Sequence, residues 1–267
     1  MRPAQQPADQ MSYAGRLIAV LNAFAEGPDV LSVKELSEQL SLPASSTHRV
    51  LEALVEAGFL ERARQRRYRI GTEFFRIAAR VEHRFELVAA AKPLMAQAVE
   101  QCGETCLLGL LTASRNKIVL AHKVDTQLQL RFKFDLLQNI TPAWGSLGRS
   151  IMAWLSDADL RRVISEAEPS PVTGKPLPDL ETLQRELRRT RTRGVAVTRG
   201  QRAAPDAVGI SAPFFDATGQ VRGAIGVVAP EFRLTPEKTS AISDLVKTQA
   251  GKLSRVLGHR TVQSRAG

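Results

Sequence analysis

Between residues 33 and 69 the chain reads VKELSEQLSLPASSTHRVLEALVEAGFLERARQRRYR, with apolar positions first at helical spacing and then in alternation. Val33, Leu36 and Leu40 line one face of a predicted short helix, and Lys34, Glu35, Glu38 and Gln39 face outward. Ser32 stands where an N-cap belongs, and Glu35 completes a capping box. Ser41-Leu42-Pro43 forms a turn, with Pro43 suited to the first position of a new helix. That helix, 44–57, gathers Thr47, Val50, Leu51, Leu54 and Gly58 on one face. Gly58 is its predicted left-handed cap. Phe59 and Leu60 open a strand, a turn centres on Gln65, and Tyr68 and Ile70 alternate back inward. The pattern is that of a winged helix-turn-helix.

Elsewhere, a helix over 12–26 carries Leu17, Val20, Leu21 and Phe24 on one face and ends at Gly27-Pro28, before a short strand near 30–31. Residues 72–85 place Phe74, Phe75, Ile77, Ala78 and Val81 at helical spacing, with Arg76, Arg80 and Arg84 on another face. This helix either caps the first domain or links it onward and pairs with a second subunit; the wide apolar stripe favours the linker. A helix over 87–101 follows. Strands are predicted at 105–111 (TCLLGLL), 117–124 (KIVLAHKV), 195–199, 208–215 and 221–228, and a half-exposed strand at 128–134 (LQLRFKF). Helices are predicted over 147–155, 157–164, 179–192 and 236–257, the last capped by Thr235. Strands in mostly antiparallel order with flanking helices make the fold class α+β.

Length and charge narrow the reading. The 267 residues exceed one winged helix, so a second domain must follow. The expected division is a tail at 1–11, a winged helix-turn-helix at 12–71, a linker helix at 72–86, a ligand-binding domain at 87–259 and a frayed tail at 260–267. A formal net charge of +10 fits a polyanionic partner. The excess is not confined to the first domain, because 185–193 reads RELRRTRTR. No run of apolar residues is long enough to span a membrane, and MRPAQQPADQ lacks the apolar core of a secretion signal. A cytoplasmic protein is expected.

The candidate chemistry is recognition. The exposed first turn of the second helix presents Ser45, Ser46, His48 and Arg49. Hydroxyls and helix N-terminal amides suit phosphate oxygens, and a guanidinium suits guanine edges or phosphate. Glu52 and Glu56 lie further along and repel DNA, so only the first turn is expected to enter the groove. Arg62, Arg64, Arg66, Arg67 and Arg69 make a wing suited to the DNA backbone. Arg131 and Arg149 are candidate partners for a ligand carboxylate. Cys102 and Cys106 make neither a disulfide framework nor a metal-ligand set and read as structural. No phosphate-cradling loop, nucleophile elbow or acid–base pair can be named, so neither enzymatic activity nor a cofactor is expected. The competing reading is a sensor or enzyme whose winged helix serves protein contacts only.

The order winged helix, linker helix and α+β domain resembles the IclR family of bacterial transcriptional regulators. The resemblance is carried by LSVKELSEQLSLPASSTHRVLEALVEAGFLER and YRIG, then CGETCLLGLL, GSLGRSIMAWLS, RGVAVTRGQ and VGISAPFFDATGQVRGAIGVVAP. It implies a GAF/PAS-like C-terminal domain that binds a small, often carboxylate-bearing effector. It also implies a homodimer, or a tetramer built as a dimer of dimers, on double-stranded operator DNA, with Ser45, Ser46, His48 and Arg49 reading the operator. The implied effector pocket lies between the main sheet and residues 144–149, closed by strands around Ile210, Ser211, Gly226 and Val228. Thr105, Trp144, Ser146, Gln201, Arg131 and Arg149 complete the expected set. The chain departs from the family pattern at Ala44, where Lys is frequent, and at Trp144, where smaller or histidine side chains are common. Gln201 replaces an acidic residue, Gly226 and Val228 replace small polar ones, and Val208 and Gly209 stand where a cysteine is frequent. Fewer hydroxyls, no thiol and a tryptophan point to an aromatic or medium-chain acid.

Overall fold

A computed structural model describes residues 11–82 and 86–259. Residues 1–10 of the expected 1–11 tail, the tail at 260–267, and His83, Arg84 and Phe85 at the end of the predicted linker helix lie outside the described residues. The chain divides into two compact units, Met1–Phe85 and Glu86–Gly267.

The first unit opens with α1 (Tyr13–Glu26), whose N-cap Ser12 accepts from the Gly15 amide at 3.1 Å. Strand β1 (Leu31–Ser32) pairs antiparallel with the wing strand, Leu31 opposite Tyr68. Ser32 then caps α2 (Val33–Leu40) with Glu35 in the full reciprocal box. Ser41 takes a left-handed conformation, and α3 (Ala44–Glu56) begins one residue after Pro43. Pro43 is therefore the N-cap and not the first helical residue, because its ψ of 138° is extended. Thr47 fastens the helix pair: its hydroxyl donates to the Pro43 carbonyl (3.2 Å) and accepts from Ser37 Oγ (3.0 Å). The wing is β2 (Leu60–Ala63), a 3₁₀ turn (Arg64–Arg66) and β3 (Arg67–Ile70), with Gln65 at φ 58° and Arg66 at φ 56°. Val20, Leu36, Val50, Leu51 and Leu60 are essentially inaccessible and make the core. Each such side chain stabilises by ~1.5–3 kcal/mol relative to exposure. Helix α4 (Thr72–Glu82) sets Phe74 edge-on against Phe59, and Phe75 and Val81 remain 70% and 54% exposed.

The second unit is a six-stranded antiparallel sheet in the order β6-β5-β4-β9-β8-β7. Its elements are α5 (Glu86–Cys102), β4 (Thr105–Leu111), β5 (Ile118–Val124), β6 (Asn139–Ile140), α6 (Gly145–Met152), α7 (Asp157–Ser165) and α8 (Leu180–Arg193). β7 (Ala196–Arg199), β8 (Ala207–Phe215), β9 (Val221–Pro230) and α9 (Pro236–Val256) follow. Alternation assigns the two faces. Cys106, Leu108, Val208, Ile210, Ile225 and Val227 pack beneath α5 and α9. Leu107, Val221 and Ala224 face the opposite layer, where α6, α7 and α8 contribute Trp144, Leu147, Ile151, Val163 and Leu183. Every residue of α6 from Ser146 to Met152 is buried.

Residues 128–134 form no strand, which corrects the expectation from their alternation. The outer edge of β5 is taken by β6, Ile118 opposite Ile140. The segment is held instead through Arg233, which donates to the Leu130 carbonyl at 3.2 Å, leaving Leu128 and Leu130 exposed. Cys102 and Cys106 are free thiols, and burial pushes both upward. No helix among the described residues is long and apolar enough to cross a membrane.

Candidate functional site

The first candidate surface lies on the first unit. Because Thr47, Val50, Leu51 and Leu54 are buried, helical spacing turns Ser45, His48 and Arg49 to solvent. Ser46 is half-buried and accepts from Arg16 Nη1 of α1 at 3.4 Å. His48 Nε2 lies 3.8 Å from Glu52.

Glu52 does not stand free to repel a polyanion. It pairs with Arg62 and accepts from the Tyr68 hydroxyl at 3.2 Å. Arg67 pairs with the capping residue Glu35, and Arg69 meets Glu61 at 2.9 Å. The Ser32 amide and hydroxyl, followed by Arg67, hold the Glu35 carboxyl below its ordinary range. So three of the five wing guanidiniums are compensated inside the unit. Arg64 and Arg66 at the tip, and Arg49 on α3, are exposed with no ion-pair partner among the described residues.

The second candidate site lies in the second unit, between the sheet and the start of α6. Leu107, Leu120, Phe134, Ile140, Trp144 and Val228 supply apolar walls to a pocket of about 60 Å³. Ser146, Thr198 and Gln201 supply polar edges, and Arg202 is the only cationic residue among the described residues that lines it. Trp144 is fixed by its indole N–H, which donates to the Glu168 carbonyl at 2.9 Å. The Gln201 side chain accepts from the Gly145 amide at 3.3 Å, tying the 200–206 loop to the N-terminus of α6. Arg202 is half-buried, and desolvation alone pushes its guanidinium down, with no carboxylate paired to it among the described residues. The close seat of α6 on the sheet depends on glycine. A Cβ on Gly209 would stand 2.4 Å from Ser146 Oγ of α6; within the sheet, one on Gly226 would stand 1.9 Å from Ser211 Oγ, the hydroxyl that bonds Ser146.

Two family models match the chain. The bacterial transcriptional regulator IclR C-terminal model covers residues 79–255, and the IclR helix-turn-helix domain covers residues 14–64. The chain belongs to the IclR family. It is a transcriptional regulator with a helix-turn-helix DNA-binding domain and an effector-binding C-terminal domain. It is 29% identical over 225 residues to the HTH-type transcriptional regulator BhcR of Paracoccus denitrificans, covering 84% of this chain and 80% of that one. To the HTH-type transcriptional repressor AllR of Escherichia coli it is 26% identical over 264 residues, covering 96% and 95%. A solved IclR-type regulator from Silicibacter sp. TM1040 superposes with a TM-score of 0.84 at 20% identity, over 94% of this chain and 98% of that one. An IclR homologue from Microbacterium hydrocarbonoxydans, complexed with 4-hydroxybenzoate, gives a TM-score of 0.74 at 21% identity, over 92% and 100%.

Within this IclR-family regulator the residues expected around the effector separate. Trp144, Ser146, Gln201 and Val228 line the pocket together. Six others lie outside its lining. Ile210 points to the opposite face of the sheet, into the layer beneath α5 and α9. Ser211 and Gly226 share the correct face but are covered, because Ser211 and Ser146 hydroxyls bond at 2.6 Å. Thr105 is buried and accepts from the Thr126 amide at 3.2 Å. Arg131 is exposed on the irregular 128–134 segment. Arg149 is buried on α6 and lines a different cavity. Sequence reasoning missed Arg202, an isolated arginine in a loop with no periodicity to mark it, and Arg16, which meets α3 only once the helices pack.

Proposed function

We propose that this regulator binds a pseudo-palindromic operator as a homo-oligomer and responds to a small carboxylic acid with an aromatic or otherwise apolar body. The first turn of α3 enters the major groove with Ser45, Ser46, His48 and Arg49, and the wing tip follows the phosphate backbone through Arg64 and Arg66. Arg62 and Arg67 act at one remove, by shaping the wing against Glu52 and Glu35. The exposed stripe of Phe75, Ile77 and Val81 on α4 supplies the surface on which two copies pair. Effector binding shifts the balance between arrangements of the paired heads. The regulator works in the cytoplasm, where its operator lies.

One observation carries the ligand class: an apolar pocket whose walls hold one guanidinium, Arg202, with no carboxylate paired to it among the described residues. An aromatic ring is matched by Leu107, Leu120, Phe134 and Trp144, and a carboxylate by Arg202. The 4-hydroxybenzoate held by the Microbacterium homologue is of the same chemical class. The pocket is small, about 60 Å³, and ligand entry moves the 200–206 loop, which carries Arg202 and forms one of its sides. That loop movement, next to the start of α6, is the change through which the ligand is sensed.

Thermal melting of the full chain against benzoate, 4-hydroxybenzoate and octanoate, each beside its amide, tests this reading. At a hundred times its dissociation constant an acid adds ~2.7 kcal/mol and raises the melting temperature. The acids are expected to act and the amides not. Equal effects from acid and amide, or none from any acid, would sink the ligand class while leaving DNA recognition standing.

A further inference from the structure

The displacement of Arg149 from the effector pocket has its own consequence. Arg149 is 4% exposed, yet Nε and Nη1 meet no hydrogen-bond partner among the described residues. Glu186 lies 3.7 Å from Nη1, close enough to attract but too far to accept. A buried guanidinium with unmatched donors is costly unless an anion satisfies it. Arg149 lines a cavity of about 390 Å³ between α6, α8 and β7, whose rim carries Arg189 and Arg193. Both rim arginines are exposed, and neither has an ion-pair partner among the described residues. Arg199 also lines the cavity but is matched by Glu231 at 3.0 Å. Three guanidiniums (Arg149, Arg189 and Arg193) against one carboxylate (Glu186) leave an excess of two positive charges.

We propose that this cavity is a second ligand site and takes the phosphate group of a small phosphorylated metabolite. A phosphate monoester carries close to two negative charges near neutral pH, which matches the excess. Its oxygens match the planar donors of Arg149, and the rim arginines screen the remaining charge. Glu186 is the built-in competitor, half-exposed and able to swing away when the phosphate arrives. The site is separate from the effector pocket but shares a wall with it through Thr198 and Gln201. Arg149 also lies 5.9 Å from the Trp144 ring centroid, so Trp144 stands between the two sites. The proposal does not rest on the effector reading, because it needs neither Arg202 nor a carboxylic acid.

The test is calorimetric titration of the full chain with inorganic phosphate and with glycerol 3-phosphate, against chloride and succinate at matched ionic strength. Both phosphates are expected to bind, with succinate at least tenfold weaker. Replacing Arg149 itself endangers the packing of α6, so the decisive variants lie on the rim. Arg189→Gln with Arg193→Gln should weaken phosphate binding at least tenfold and leave the melting temperature in chloride unchanged. Glu186→Gln should tighten it several-fold by removing the competitor. No phosphate heat beyond that of chloride, equal binding of succinate, or phosphate affinity indifferent to both rim changes would overturn the proposal. Loss of response to benzoate with phosphate binding intact would count only against the effector reading.

Discussion

The two units of this IclR-family regulator handle arginine in opposite ways. In the first, Arg49 and the wing guanidiniums stay at or near the surface, and acidic partners on neighbouring elements choose which remain available. Glu35, Glu52 and Glu61 occupy Arg67, Arg62 and Arg69, so Arg49, Arg64 and Arg66 are left for a partner. In the second, Arg149 is withdrawn from water with Nε and Nη1 unmatched, and Arg202 is partly withdrawn, its guanidinium pushed down by desolvation. Exposed charges in water suit a long polyanion, where each contact is weak, screened and additive. Desolvated charges suit one small anion, where each contact is strong and its loss is costly.

That contrast is broken most severely at Arg202. Arg202→Met keeps the length and apolar stem of the side chain and removes the charge. Affinity for a carboxylate effector should fall by ~2–5 kcal/mol, the range for truncating one partner of a desolvated charge pair. Operator affinity without effector should not change. Calorimetry with the acid identified by melting measures the first, and a gel-shift titration the second. Unchanged acid affinity would remove Arg202 from the site.

Arg49→Ala probes the opposite regime and should act less. A bidentate contact to one base is worth ~1–3 kcal/mol, and its loss should relax preference at one base position of the operator. An unchanged operator affinity would dismiss the assignment. Arg64→Gln with Arg66→Gln should cost affinity on all sequences alike. The slope of log K against log salt should become shallower by about 1.8 if each arginine neutralises one phosphate. A slope that does not move would place the backbone contacts elsewhere, and Arg62→Gln would then be the next variant to measure.

Local signals in the sequence carried the first unit almost completely. The capping box joins Ser32 and Glu35, three positions apart, and the Gln65 turn is set by its immediate neighbours. Hairpin register also pairs Glu61 with Arg69 directly. The pairs Arg62–Glu52 and Arg67–Glu35 join different elements, so the neutralised part of the wing was not legible. In the second unit the strand pair 207–230 and the buried α6 were legible, but the membership of the pocket was not. Ile210 and Ser211 are adjacent in one strand and cannot face the same cavity, a constraint the alternation already contained. Which face belongs to the pocket is decided by α6, whose seat needs Gly209. Residues 128–134 show the same limit: alternation marks two-sidedness, and whether a neighbouring strand is available is a property of the whole sheet.

The gentlest way to sharpen the contrast is to release one of the compensated wing arginines. Glu35 accepts from the Ser32 amide at 2.7 Å and from the Ser32 hydroxyl at 2.7 Å, and it pairs with Arg67. These contacts depress its carboxyl below the ordinary value of 4.5. A carboxyl depressed on folding contributes stability that is present above its unfolded value and is lost as pH falls through its folded one. The Glu35 contribution should therefore be full at pH 6 and decline from about pH 4.5 downward. Glu35→Gln keeps a capping-box side chain but gives up the charge. Its melting temperature should lie slightly below that of the parent at pH 6, and the gap should close as the pH falls below 4.5 and through the depressed folded value. The same change frees Arg67, so the salt dependence of operator binding should steepen, by up to about 0.9 in slope. A steeper slope with a closing stability gap would mean that Glu35 holds Arg67 back from DNA. A closing gap with an unchanged slope would confine the pair to folding and leave Arg64 and Arg66 as the backbone contacts of the wing.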